Sequence, residues 1–286
     1  MKNSYGTFFR KLRQDKNISI SSLADEYISK GMISKFERDE SEISVSRFFH
    51  LLDKIKVRSS EFELAKNMFQ PSGFDTLLYK IQTCVVEENY TKLKKIAHSE
   101  RLEWEKTQDI YSYLNYIMIT TLINNHKQES TDSELLDVLL NYLFKCENWG
   151  YYELVLYTNS MSALPIETTL MFSKSLPQKI LLLQDSGRIL EIAINTIINT
   201  LIICIGKNKK EEGFFFIKVL EDFSMPETML FERALFNIYK GIFLSKFTND
   251  KVLGAQLTKD SLLIFQLAGC HNIYDLLLDD TKKMLV

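Results

Sequence analysis

The sequence predicts an all-α protein in two parts, a bundle of five short helices followed by a longer run of helical repeats. Three observations carry this. Of 286 residues 45% are hydrophobic, while Gly and Pro number only 10 and 4, which supplies a core but little of the turn chemistry a sandwich or barrel needs. Apolar residues recur at helical spacing almost throughout, with polar breaks roughly every 20 residues in the second part. The only Pro-x-Gly cluster, "FQPSGF" at 69–74, supplies a boundary. The expected division is therefore a head at 1–69, a linker at 70–74 and a body at 75–286.

In the head, Phe8, Phe9 and Leu12 line a first helix. Ser19 caps a second, with Leu23 and Ala24 inward, and Ser29 caps a third, where Ile33 and Phe36 share a face. The stretch from Ser21 to Ser44 thus reads as two helices of seven or eight residues around a tight turn. A fourth helix follows Ser44 with Phe48, Leu51, Leu52 and Ile55. A fifth follows Ser59 or Ser60 with Phe62 and Leu64. In the body, breaks fall near 89–91, 104–108, 126–132, 146–150, 164–166, 184–187, 206–211, 223–227, 247–251 and 268–272. Roughly 40 residues per helix pair is the period of a helical-hairpin solenoid, although no strict tetratricopeptide consensus is present. The aromatic runs "IYSYLNY", "NWGYYELVLY" and "GFFFIKVLEDF" suit large knobs between stacked helices.

Charge separates the two parts. Residues 1–60 hold 12 Lys and Arg against 8 Asp and Glu, and the remainder holds 23 against 29. A basic head on an acidic body suits nucleic-acid binding by the head. The four cysteines lie far apart with no C-x-x-C pair, and the start of the chain has no apolar leader. The strongest apolar run, Ile192 to Ile205, is interrupted by Asn195 and Asn199 and reads as too short to span a bilayer. A reduced, cytoplasmic protein without membrane association is expected.

With Ile33 and Phe36 inward, helical geometry turns Lys30, Gly31, Ser34, Lys35 and Arg38 outward. Small residues and cations on one exposed face can approach a major groove, and Arg10 and Lys11 of the first helix add phosphate-neutralising charge. The same face also fits a solvated helix beside an ordinary bundle. Spacing favours the groove-binding reading, because "LADEYISKGMISKFERDESEISVSRFFHLLDKI" resembles the Cro-type (XRE) helix-turn-helix pattern through Leu23-Ala24, Ile33-Ser34, Glu37-Arg38 and the Ser44-led helix. That resemblance implies a lambda-repressor-like head and a structural pair between Arg13 and Glu37. The chain departs from the pattern at Ile20, where many members carry Gln, in a turn one residue short and without its Gly, and at Asp39, which replaces Gly where a carboxylate repels phosphate.

The short turn, with Ser19 to Glu26, Ile33 to Arg38 and Glu40 to Ser44, resembles the Rgg/GadR/MutR regulators of Gram-positive cocci, as do "ENWGYYELVLYTNS" and the chain length. The resemblance implies a homodimeric transcriptional regulator that binds double-stranded promoter DNA and a short hydrophobic signalling peptide in a TPR-like body, as in quorum sensing. Some such regulators carry a cysteine suited to a cross-subunit disulfide where this chain has Val45, which cannot form one.

A peptide lying in a helical groove needs carboxamides for its backbone, a cation for its carboxylate and apolar walls. In "SGRILEIAINTIINTLIICIG", Arg188, Ile192, Asn195 and Asn199 share one face. Arg233 and Asn237 repeat the chemistry at i, i+4, and Tyr152 and Asn159 lie seven apart on a third helix. Each of these also has a structural use, since Asn bonds neighbouring helix ends and Arg pairs with carboxylates. No phosphate-loop, dinucleotide, zinc-protease or nucleophile-elbow motif occurs, and the four histidines have no ligand spacing. No catalytic residue, metal or cofactor is expected. Two other readings stay open, a body used only for dimerisation or protein contacts and an enzyme joined to a DNA-binding head.

Overall fold

The computed structural model describes residues 4–67, 73–182, 187–223 and 225–285. They are helical with no β-strand among them, and they belong to two compact units, Met1–Asn89 and Tyr90–Val286.

The first unit holds α1 (Tyr5–Asp15), α2 (Ile20–Leu23), α3 (Lys30–Glu37), α4 (Val45–Lys54), α5 (Ser59–Lys66) and α6 (Gly73–Val86). Four serines start its helices. The hydroxyls of Ser4, Ser19, Ser29 and Ser44 accept from the backbone N–H of Thr7, Ser22, Met32 and Arg47, each cap contributing about 1 kcal/mol. Phe9, Ile33, Phe36, Leu51, Leu52, Ile55 and Phe62 form the core. Fully burying an aliphatic or aromatic side chain of this size is worth about 1.5–3 kcal/mol. Gly6 packs directly beneath the end of α3, where a Cβ would lie 1.8 Å from the Phe36 carbonyl oxygen.

Two details correct the sequence reading of the head. The helix α2 is a single turn rather than seven or eight residues, because the Asp25 carboxylate accepts the N–H groups of Tyr27 and Ile28 and pulls the chain out of the helix. Ala24, in extended conformation at the helix end, is half-buried and packs against the same core as Leu23, as expected. Leu64 is exposed, since two positions from buried Phe62 is the opposite side of a helix. The linker expected at 70–74 lies outside the described residues at 70–72, and the helix beginning at Gly73 groups with the head.

The second unit holds α7 (Tyr90–Thr107), α8 (Ile110–Lys127), α9 (Ser133–Lys145), α10 (Tyr151–Ser160), α11 (Ile166–Leu182), α12 (Arg188–Gly206), α13 (Lys210–Phe223), α14 (Leu230–Phe247), α15 (Lys251–Leu267) and α16 (His271–Leu285). The even-numbered helices stack on one another in order as one continuous layer, and the helices between them pack alongside. Their starts at Ile110, Tyr151, Arg188, Leu230 and His271 are 41, 37, 42 and 41 residues apart, the hairpin period read from the polar breaks. Glycine is scarce, and helices end instead on residues such as Asn17, Asp39, Lys56, Gln128 and Asn208, which take the left-handed conformation.

At 19 residues α12 is long and apolar enough to cross a bilayer, which corrects the shorter run expected, yet over half of it is buried within the body. Ile194, Ile197, Ile198 and Leu201 join the core, while Thr196 and Thr200 bond Thr158 of α10 and Ser173 of α11 at 2.5 and 2.7 Å. The helices α14 and α15 approach closely through Gly241 and Gly254, where a Cβ on either would lie 2.6 or 2.5 Å from the other's carbonyl oxygen. All four cysteines are free thiols, and burial pushes Cys204 up to about 12.

Candidate functional site

In the head, α1 and α3 are locked together by Arg13 and Glu37. The guanidinium donates from Nε and Nη2 to the two carboxylate oxygens at 2.6 and 2.8 Å, and from Nη1 to the Ile18 carbonyl at 2.5 Å. Both side chains are almost wholly buried, and the bond to Glu37 pushes the Arg13 pKa up. The outer side of α3 then presents Lys30, Gly31, Lys35 and Arg38 to solvent, with Ser34 half-buried among them. Arg10 and Lys11 are exposed on α1.

The end of α3 is more organised than the sequence showed. Asp39 takes a φ of 60°, and the N–H groups of Asp39 and Glu40 return to the carbonyls of Phe36 and Lys35 at 2.9 Å, closing a Schellman motif. The Asp39 carboxylate accepts from the Thr7 hydroxyl at 2.6 Å, and bonds from Ser4, Thr7 and Gly6 hold it below the usual carboxylate range. The residue expected to repel phosphate is therefore turned onto the start of α1, where negative charge is favourable. Glu40 clasps Arg38 in two parallel bonds of 2.6 and 2.7 Å, and Arg38 Nη1 reaches the Ser34 hydroxyl at 2.5 Å. Asp25 anchors the turn before α3 to α4, accepting from Lys54 and from His50 Nε2 at 2.7 Å. Those two bonds, that from Lys54 first, hold its pKa well below the ordinary range. Sequence reasoning missed Glu40 and Asp25. Their signal was an acid two residues after Arg38 and an Asx residue at the end of a serine-capped turn.

A family model for the C-terminal domain of the HTH-type transcriptional regulator Rgg matches residues 93–277, and a helix-turn-helix model matches 9–62. The chain belongs to the Rgg family. Among solved structures, the SHP pheromone receptor Rgg2 of Streptococcus dysgalactiae is 28% identical, with a TM-score of 0.80, the match covering 98% of this chain and 99% of that one. PrgX in complex with cCF10 is 18% identical with a TM-score of 0.74, covering 98% and 92%. A proposed transcriptional regulator from Listeria monocytogenes is 20% identical with a TM-score of 0.83, covering 98% and 97%. The last two establish a shared fold.

In the Rgg-type body, the predicted groove residues fall on three successive members of the continuous layer, α10, α12 and α14. The stripe Ile192, Asn195, Asn199 is half-buried and Arg188 exposed, on a helix whose remaining faces are largely enclosed. Asn195 donates to Glu232 of α14 at 3.4 Å. The side chains of Asn199 and Asn237 are half-buried and make no hydrogen bond to another described residue. Arg188 lies 5.1 Å from the Tyr151 ring centre, and Arg233, exposed, donates weakly to the Met225 carbonyl at 3.5 Å. The α10 pair is differently placed. The Tyr152 hydroxyl donates to Asn115 Oδ1 of α8 at 3.1 Å, and burial pushes its pKa up. Asn159 donates back to Val155 of its own helix at 2.8 Å. The side chains of Tyr152, Asn159, Asn195, Asn199 and Asn237 are all half-buried; the first three have hydrogen-bond partners within the body, whereas Asn199 and Asn237 bond no other described residue.

Proposed function

We propose that this Rgg-family regulator acts in the cytoplasm as a homodimer that reads promoter DNA through α3, under the control of a short hydrophobic peptide held along α12 and α14. Lys30, Ser34, Lys35 and Arg38 would face the groove, with Arg10 and Lys11 on phosphates. The observation that carries the peptide reading is the pair Asn199 and Asn237, half-buried amides that make no hydrogen bond to another described residue and suit a peptide backbone, with the cations Arg188 and Arg233 exposed on the same two helices. A pheromone receptor aligned over almost its whole length supports the same ligand class. The regulator has no catalytic role in this reading, in keeping with its family.

Calorimetry on the full chain, titrated with short hydrophobic peptides encoded beside its gene, tests the groove. Asn199→Ala and Asn237→Ala are expected to weaken binding roughly tenfold each with the fold intact. Unchanged affinity in both removes those residues from the site. A promoter mobility-shift assay tests the head, where the Lys35→Ala, Arg38→Ala double variant is expected to lose binding. Wild-type binding by that variant would discard the assigned face. A second reading, a body used only for dimerisation, draws on the exposed Val252, Leu253, Leu267 and Leu276 of α15 and α16. It predicts no calorimetric signal with any of those peptides.

A further inference from the structure

An arginine has five N–H donors in one plane. In Arg38, the Nε–H and one Nη2–H go to Glu40, and one Nη1–H goes to the Ser34 hydroxyl. That leaves one N–H on each Nη atom without a partner among the described residues. The backbone at Glu40 is held in place, its N–H bonded to the Lys35 carbonyl and the preceding Asp39 carboxylate accepting from Thr7 of α1. Ser34 lies one helical turn below Arg38 on the same face. Both members of the ion pair are about half exposed, a setting in which such a pair adds little to stability. Its consistent effect is to fix the direction of one cation.

We infer that Glu40 and Ser34 are positioning residues that hold Arg38 so that its two remaining N–H groups meet a two-point hydrogen-bond acceptor on duplex DNA. The two such acceptors are the non-bridging oxygens of one phosphate and the O6/N7 edge of one guanine. Because Glu40 offsets the charge, Arg38 contributes direction more than general attraction, in contrast to Lys35, which makes no ion pair within 4 Å among the described residues. The rotamer freedom that a loose arginine loses on binding is already lost here. This inference rests on the α3 face proposed above.

The test uses the full-length protein and a fluorescent duplex that the wild type selects from a randomised library, compared with a scrambled duplex of equal length. Glu40→Ala is expected to reduce the preference for the selected duplex about tenfold, with melting temperature unchanged. Glu40→Gln, whose amide oxygen still accepts one bond, should fall between Glu40→Ala and wild type. The Arg38→Ala, Glu40→Ala double variant should match Arg38→Ala alone, because Glu40 acts only through Arg38. Arg38→Ala should change the salt slope less than Lys35→Ala does. Substituting 7-deazaguanine or methylphosphonate one position at a time should reveal a single position that weakens wild type and leaves Arg38→Ala unaffected, and the effective substitution identifies guanine or phosphate. Tighter binding of Glu40→Ala to both duplexes, unchanged preference, or additive effects in the double variant would each overturn the inference. Indifference of binding to both Lys35→Ala and Arg38→Ala would instead remove the face itself.

Discussion

The helices α3 and α12 each carry one polar stripe on an otherwise packed surface, and they manage it in opposite ways. On α3 the stripe is short, charged and exposed, and one of its cations is held by a neighbouring carboxylate. On α12 the stripe is uncharged and half-buried, and one of its amides has no partner among the described residues. Charge tolerates exposure and acts through phosphate attraction, whereas an amide in a partly dry groove keeps its hydrogen-bonding strength for a ligand that brings its own backbone. The same helical period marks both stripes. Their surroundings differ, and the proposed function assigns the first to a polyanion and the second to a peptide.

The largest expected effect separates the scaffolds beneath these stripes. Glu37→Ala leaves Arg13 buried without its carboxylate, and should cost the head about 3–5 kcal/mol. Hydrogen exchange should show faster opening of α1 and α3 with protection of α12 and α14 unchanged, and DNA binding should fail. The body counterpart is Gly241→Ala, where the added Cβ meets backbone of α15 and should cost about 1–3 kcal/mol, read as a lower melting point of the body with head protection unchanged. If either variant loosens both units equally, the two stripes do not rest on independent supports.

Smaller effects sharpen the contrast. Asn199→Leu should change stability by no more than about 0.5 kcal/mol, because no bond within the described protein is lost, while peptide affinity falls. Melting curves and calorimetry on the same sample check this. Loss of stability comparable to Glu37→Ala would place Asn199 in the scaffold. The smallest is a pH effect at the turn before α3. Asp25 is depressed in the folded state, so its contribution is complete above the unfolded carboxylate value of about 4 and declines as pH falls below it. Asp25→Asn should flatten the acid limb of head stability, seen in urea midpoints between neutral and acid pH, and leave the body's limb in place.

Much of this was legible in the chain. Serines at 19, 29 and 44 announced helix starts because a hydroxyl before an apolar-periodic run satisfies orphan N–H groups, and that chemistry is local. The breaks near 126–132, 146–150 and 247–251 fall at the ends of α8, α9 and α14, to within two residues. Less visible were effects between segments near in space and far in sequence. Asp25 reaches His50 and Lys54 of α4, and Asp39 serves α1 from the end of α3. Tyr152 meets Asn115 of α8, a partner 37 residues away that its own helix could not announce.

By itself the sequence determined the helical class, the two-part order, the period of the body and the stripes on α3 and α12, since each follows from rules operating within about one or two helical turns. The tertiary structure decided which stripe residues are spent and which are free. Asp39 is turned onto Thr7 only because α1 lies against the end of α3, Asn195 meets Glu232 only because α14 stacks on α12, and Asn199 meets no other described residue in that same stack. Hydrogen-bond partners across elements depend on where whole helices come to rest, and no local pattern encodes that.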